Sequence, residues 1–200
     1  MRFFRKGDDP GDERWIVFGL GNPGERYSET RHNAGAMVVE LLAERAAVKF
    51  KSHRSGCLVA EGSPAGRRVV LARSTGFMNE TGGPARRLLG FYKAPLERLI
   101  VVHDELDIPF GDVRVKQGGG VAGHNGLRSV ASHLGSKDFL RVRVGIGRPR
   151  GDDASAHVLS RFSSAERKEV PFLISEAADA VERIVEAGPD RAMNEFNTRP

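Results

Sequence analysis

The chain has 200 residues, a formal charge of +5 and a predicted pI of 9.7. That length suits one domain that buries its own core without disulfide or structural metal. The single cysteine, Cys57, cannot form an intrachain disulfide and reads as a small core residue of a protein kept in a reducing compartment. No apolar run reaches the length of a membrane span, and residues 1–13 lack the apolar stretch of a secretory signal. The basic surplus is compatible with a phosphate-bearing partner without establishing one.

Residues 1–13 are polar and predict a flexible extension, with the domain proper over 14–198. Trp15–Phe18 is a short apolar run, a buried strand, opening onto Gly19-Leu20-Gly21-Asn22-Pro23-Gly24. A polar loop then leads to His32 and Asn33, where Val38, Leu41, Leu42 and Ala46 begin a helical pattern predicted over 32–47. Strands over 57–61 and 68–73 flank the turn-forming Gly62–Gly66. A second glycine-rich loop, 74–83, precedes Pro84, which suits the first position of a helix ending near Phe91. Leu99–His103 is an apolar strand that delivers Asp104, Glu105 and Asp107 at its C-terminal end. Val113–Lys116 and Leu140–Val144 alternate, each with one basic face. Between them, Gly123-His124-Asn125-Gly126 leads into a helix stopped by Gly135. The segment 147–157 is polar and predicts a lid or surface loop. Ser163 and Glu166 form a capping box, Pro171 predicts a break or restart in the helix that follows, and 190–197 predicts a short terminal helix.

Alternating strands and helices define the α/β class. The loops carrying Asn22, Asn79, Asp104 and His124 mostly follow strands, and ligands of open α/β sheets gather at strand carboxyl ends. These four loops are therefore expected to converge on one pocket.

The glycines at 19, 21 and 24 match a dinucleotide fingerprint in spacing only. Pro23 and residues 25–30 delay the helix that should bind a pyrophosphate, and Glu44, at the spacing of a ribose-binding acid, sits on a helix face. His32 is more informative. A helix N-terminus disfavours imidazolium, so the ring stays neutral and basic, and a carboxylate such as Asp104 would fix its tautomer and stabilise the cation formed on proton transfer. Asn22, Asn79 and Asn125 supply uncharged donors and acceptors suited to a peptide amide or a developing oxyanion. His103, Asp104, Glu105 and Asp107 lack a second histidine at helical spacing or a cysteine cluster, which disfavours a metal site. No Gly-x-Ser-x-Gly elbow is present, which disfavours a covalent serine mechanism. Arg114 with Lys116, Arg141 with Arg143, and Arg128, Arg148 and Arg150 are candidates for a phosphate-binding surface.

The set as a whole resembles the bacterial peptidyl-tRNA hydrolase family. The resemblance rests on Gly-Leu-Gly-Asn-Pro-Gly at 19–24, Tyr27, Thr-Arg-His-Asn at 30–33, Phe-Met-Asn-Glu-Thr-Gly at 77–82, His-Asp-Glu-Leu-Asp at 103–107 and Gly-His-Asn-Gly-Leu at 123–127. Arg-Val-Gly-Ile-Gly-Arg-Pro at 143–149 continues it, so that it spans about residues 15–197. It implies a monomeric, single-domain α/β/α sandwich with a mixed, largely parallel twisted sheet. The implied activity is cytoplasmic hydrolysis of the ester between a peptide, or an N-blocked amino acid, and the 3′ ribose of tRNA, without metal or organic cofactor, membrane or stable protein partner. It implies His32 as the base that activates water and Asp104 as its orienting partner. Asn22, Asn79 and Asn125 become substrate-binding amides, Tyr27, Met78 and His124 line the cleft or touch substrate, and Lys116 and Arg143 meet tRNA phosphates. The resemblance also leaves an alternative, a non-catalytic RNA-binding protein of the splicing-factor type on the same scaffold. One departure is Ala36, where an aromatic residue commonly follows His-Asn-x-Gly; this predicts looser packing beneath the first loop.

Overall fold

The computed structural model describes residues 14–63, 66–121, 123–149, 151 and 153–198. The expected extension 1–13 and Arg150 lie outside the described residues. The strands are β1 (Trp15–Gly19), β2 (Lys51–His53), β3 (Cys57–Gly62), β4 (Val69–Ser74), β5 (Leu99–Glu105), β6 (Val113–Gln117) and β7 (Leu140–Gly145). The helices are α1 (Glu25–Ser28), α2 (Ala34–Arg45), α3 (Gly82–Tyr92), α4 (Asn125–Leu134), α5 (Ala154–Leu159), α6 (Glu166–Ala187) and α7 (Pro189–Asn197). Among the described residues the strands form one sheet in the order β2-β3-β4-β1-β5-β7-β6. β4, β1, β5 and β7 run parallel, and β2, β3 and β6 are antiparallel to their neighbours.

The sandwich follows from period-two alternation in strands buried on both faces. Trp15, Val17, Ile100 and Val102 face one layer, with α2, α6 and α7. Ile16, Phe18, Leu99 and Val101 face the other, with α3 and α4. Phe18, Ile16, Leu99 and Ile100 are fully buried, each contributing about 1.5–3 kcal/mol of transfer free energy. Cys57 is 1% exposed, and burial pushes its thiol pKa up, as befits a core residue rather than a nucleophile.

Four local expectations are corrected. The helix over 32–47 is a 3₁₀ turn, Arg31–Asn33, followed by α2, which ends at Arg45. Pro84 is the third residue of α3, not the first, a position that still has no intrahelical N–H partner to lose. Part of the expected loop 147–157 is helical: α5 begins at Ala154, with the Asp153 side chain accepting from the Ala156 N–H at 2.8 Å. Pro171 does not break α6, which runs on through it. Proline frees the carbonyl of Arg167, but that residue is exposed and water can serve it, while Leu173, Ile174, Ala177, Ala178 and Val181 pack the helix onto the sheet. The capping box is formed: Ser163 N–H donates to Glu166 Oε2 at 2.7 Å, and Glu166 N–H donates to Ser163 Oγ at 3.2 Å.

The start of α2 sits very close to the ends of β1 and β5. A Cβ on Gly19 would lie 2.3 Å from the carbonyl oxygen of Gly35, and a Cβ on Gly35 would lie 2.1 Å from that of Val102. These glycines serve helix–strand approach rather than phosphate contact. Ala36 is 5% exposed, and its Cβ would lie only 2.8 Å from a Cβ on Gly21. The packing beneath the first loop is therefore tight, contrary to the expectation from its small side chain.

Candidate active site

The close approach of α2 places the 3₁₀ turn Arg31–Asn33 over the carboxyl end of β5. The turn is buried and its three side chains diverge. His32 Nδ1 lies 3.0 Å from both Oδ1 and Oδ2 of Asp104. Asn33 accepts from the Asn22 N–H and donates to the Asn22 carbonyl, both at 2.9 Å, and so pairs with the first loop as a strand would. Arg31 points away, toward the segment between α5 and α6.

Asp104 takes a second imidazole. His124 Nε2 lies 3.0 Å from Asp104 Oδ1, while His124 Nδ1 accepts from the N–H groups of Gly126 and Leu127 at 3.1 and 3.3 Å, capping α4. That arrangement fixes the tautomer, because a ring whose Nδ1 accepts must carry its proton on Nε2. His124 therefore donates to Asp104 as a neutral ring. The Asp104 carboxylate, 2% exposed, accepts from His32 Nδ1–H as well, so that in the neutral form of His32 the unprotonated nitrogen is Nε2. Burial pushes the Asp104 pKa up, but attraction to the protonated forms of His124 and His32, together with the hydrogen bonds that both rings donate, outweighs it and holds the carboxyl well below the usual range.

His32, Asp104 and His124 are grouped closely enough to offer three donor atoms to a cation. The protonation pattern does not fit one. A metal on His124 Nε2 would move the proton to Nδ1, where it would meet the two N–H groups that this atom now accepts.

The third histidine, His103, is 1% exposed beneath His124, with ring centroids 5.2 Å apart. Its Nδ1 donates to the Asp104 carbonyl at 2.7 Å, and its Nε2 is buried without a partner. Burial, with the neighbouring His124, pushes its pKa down to about 3. The unfolded chain binds a proton at this residue below about 6.5 and the folded protein does not, so stability is lost as pH falls through that window. His103 alone should cost about 1.4 kcal/mol per pH unit there. Urea unfolding at pH 7 and pH 5 should show a larger loss for wild type than for His103→Asn, which keeps a donor near Nδ1 but does not titrate. Equal losses would reject the assignment.

These groups floor an open cleft of about 700 Å³ lined by Asn22, Tyr27, His32, Phe77, Met78, Asn79, Asp104, His124 and Asn125 among others. The four expected loops do converge. Asn22 Oδ1 accepts from the Met78 N–H at 2.8 Å, so its amide presents Nδ2 as donor. Asn79 and Asn125 are exposed at the cleft surface. Tyr27 meets Phe77 edge-on, with centroids 6.5 Å apart. The opposite wall falls partly within the segment 147–157 expected to be a lid or surface loop, but is helical: α5 contributes Ala154, Ser155, Val158 and Leu159.

Lys116 and Arg143 are not in this cleft. They line a separate groove of about 780 Å³ along β6, with Arg114 and Asp107. The antiparallel register sets Arg114 opposite Arg143 and Lys116 opposite Arg141, like charges that repel unless each is occupied. Arg143 Nε donates to Glu105 at 3.0 Å, and Arg114 donates to the α7 carbonyls of Phe196 and Asn197. Arg141 is 2% exposed and donates to the Gly118 and Gly120 carbonyls, so it is a structural cation and not part of a phosphate surface. Arg148 pairs with Asp107 at 2.6 Å, and Lys116 is exposed. Sequence reasoning assigned no role to Asn33 or Arg31, although both stand in the Thr-Arg-His-Asn motif at 30–33.

A three-layer α/β sandwich whose strand ends gather buried histidines on one carboxylate, under amide-rich loops, has the construction of a hydrolase. The chain belongs to the peptidyl-tRNA hydrolase family, whose model matches residues 16–200. It is 57% identical over 188 residues to the peptidyl-tRNA hydrolase of Frankia casuarinae, covering 94% of this chain and 95% of that one. It is 57% identical over 181 residues to that of Mycolicibacterium vanbaalenii, covering 90% and 94%. The crystal structure of peptidyl-tRNA hydrolase from Acinetobacter baumannii superposes with a TM-score of 0.87 at 35% identity, over 96% of this chain and 98% of that one.

Proposed function

We propose that the protein hydrolyses the ester joining a peptide, or an N-blocked amino acid, to the 3′ ribose of tRNA, and so returns tRNA to translation. The observation that carries the reading is the single carboxylate of Asp104 accepting hydrogen bonds from two histidines, one of which, His32, keeps its Nε2 at the cleft. In this reading His32 Nε2 takes a proton from water as the oxygen attacks the ester carbonyl. Asp104 stabilises the imidazolium, and the tetrahedral intermediate collapses with the proton passing to the 3′ oxygen of the leaving ribose. Asn22, Asn79 and Asn125 hold the peptide amides and the oxyanion. Tyr27, Met78 and His124 shape the cleft around the acyl group. Lys116 and Arg143 meet tRNA phosphates in the adjoining groove. The protein acts as a monomer in the cytoplasm, without a cofactor.

Incubation with N-blocked aminoacyl-tRNA should release free tRNA at the same rate with and without chelator. Binding without release would favour the splicing-type reading, and loss with chelator would overturn the metal-free mechanism. Lys116→Ala should weaken tRNA binding and lower the slope of log affinity against log salt by about one. An unchanged slope would remove Lys116 from the contact.

A further inference from the structure

α5 forms one wall of the cleft, yet it has six residues and none is buried. A helix that short has no stability of its own, and with no core anchor its position depends on what holds its ends. His157 Nε2 contacts the Gly147 carbonyl at 3.1 Å on one side. Just beyond the turn that carries His157, the C-terminal end of α5 is held by Arg31. The Arg31 N–H donates to the Ser160 carbonyl at 3.1 Å, and Thr30 and Arg161 form an isolated antiparallel bridge. The guanidinium, on a residue 6% exposed, donates to Ser160 Oγ and the Arg161 carbonyl, both at 2.7 Å, and to Glu166 Oε2 at 2.6 Å, and lies over the Phe162 ring. Glu166 is also the capping residue at the start of α6, so this one side chain joins the turn carrying His32, the end of α5 and the anchored helix α6.

We infer that Arg31 is a positioning residue that fixes the α5 wall at a set distance from His32 and thereby sets binding of the acyl end of the substrate. The inference rests on the hydrolase reading above. His32 is oriented separately by two contacts to Asp104, so loss of Arg31 should displace the wall more than the base. Arg31→Met should therefore raise KM for N-blocked aminoacyl-tRNA by about tenfold while kcat changes less than about threefold. Arg31→Lys keeps the charge facing Glu166 but not the fork, and should fall between the two. Hydrogen exchange, which needs no substrate, should quicken at 155–160 in Arg31→Met and stay unchanged in β1 and β5. A lower Tm with unchanged KM and unchanged exchange at 155–160 would make the role purely structural and overturn the inference. So would a fall in kcat at constant KM. If Arg31→Met does not fold, Arg31→Lys and Glu166→Gln carry the same test with smaller shifts in the same direction. Wild-type protein that released no tRNA would instead defeat the hydrolase reading, leaving the exchange measurement to judge Arg31.

Discussion

Replacing His32 by alanine should lower kcat by about 10²–10⁴ while leaving the affinity for tRNA nearly unchanged. The expectation follows from where the ring sits. Its Nδ1 is engaged by Asp104, it lines the cleft, and the contacts proposed for tRNA lie in a different groove. Removing it deletes the base but not the amides or the basic surface. Single-turnover hydrolysis measures the first quantity and equilibrium binding of uncharged tRNA the second. Near-normal turnover would show that another group activates water.

Asp104→Asn should cost as much, about 10²–10⁴ in kcat, for a different reason. Both histidines donate to this carboxylate. An amide keeps one oxygen but turns an NH₂ toward His32 Nδ1, which now lies 3.0 Å from both carboxylate oxygens. The ring then favours the tautomer that accepts at Nδ1 and carries its proton on Nε2, where it cannot act as base. If His124 changed tautomer instead, its cap on α4 would be lost. The pH profile separates this variant from one that merely misfolds: the folded variant should stay inactive up to high pH, because deprotonating solvent does not restore the tautomer. Recovery at raised pH would contradict the tautomer argument.

Much of this was legible in the residues. The α/β class followed from apolar runs such as 15–18 and 99–103 alternating with helical spacing such as that after His32, whereas the three-layer sandwich came only from the family resemblance. The convergence of the Asn22, Asn79, Asp104 and His124 loops followed from their places after strands. What was illegible depended on contacts distant in sequence. Arg141 looked like Arg143 in an alternating strand, and only the loop folded over it, with carbonyls at Gly118 and Gly120, makes it structural. Pro171 looked like a break because local propensity does not register the apolar face that holds α6 to the sheet. α5 was hidden in a polar segment because it buries nothing, so it left no periodic signal. The role of His124 in sharing Asp104 required knowing which way its ring faced, which the motif Gly-His-Asn-Gly does not encode.

The most direct test of water attack driven by His32 is single-turnover cleavage of N-blocked aminoacyl-tRNA in water enriched in heavy oxygen, with wild type and His32→Ala compared. The expected result is heavy oxygen in the released carboxylate, an unlabelled ribose 3′-hydroxyl, and loss of the labelled product with the variant. Label on the ribose oxygen, or equal rates for the two proteins, would contradict the account.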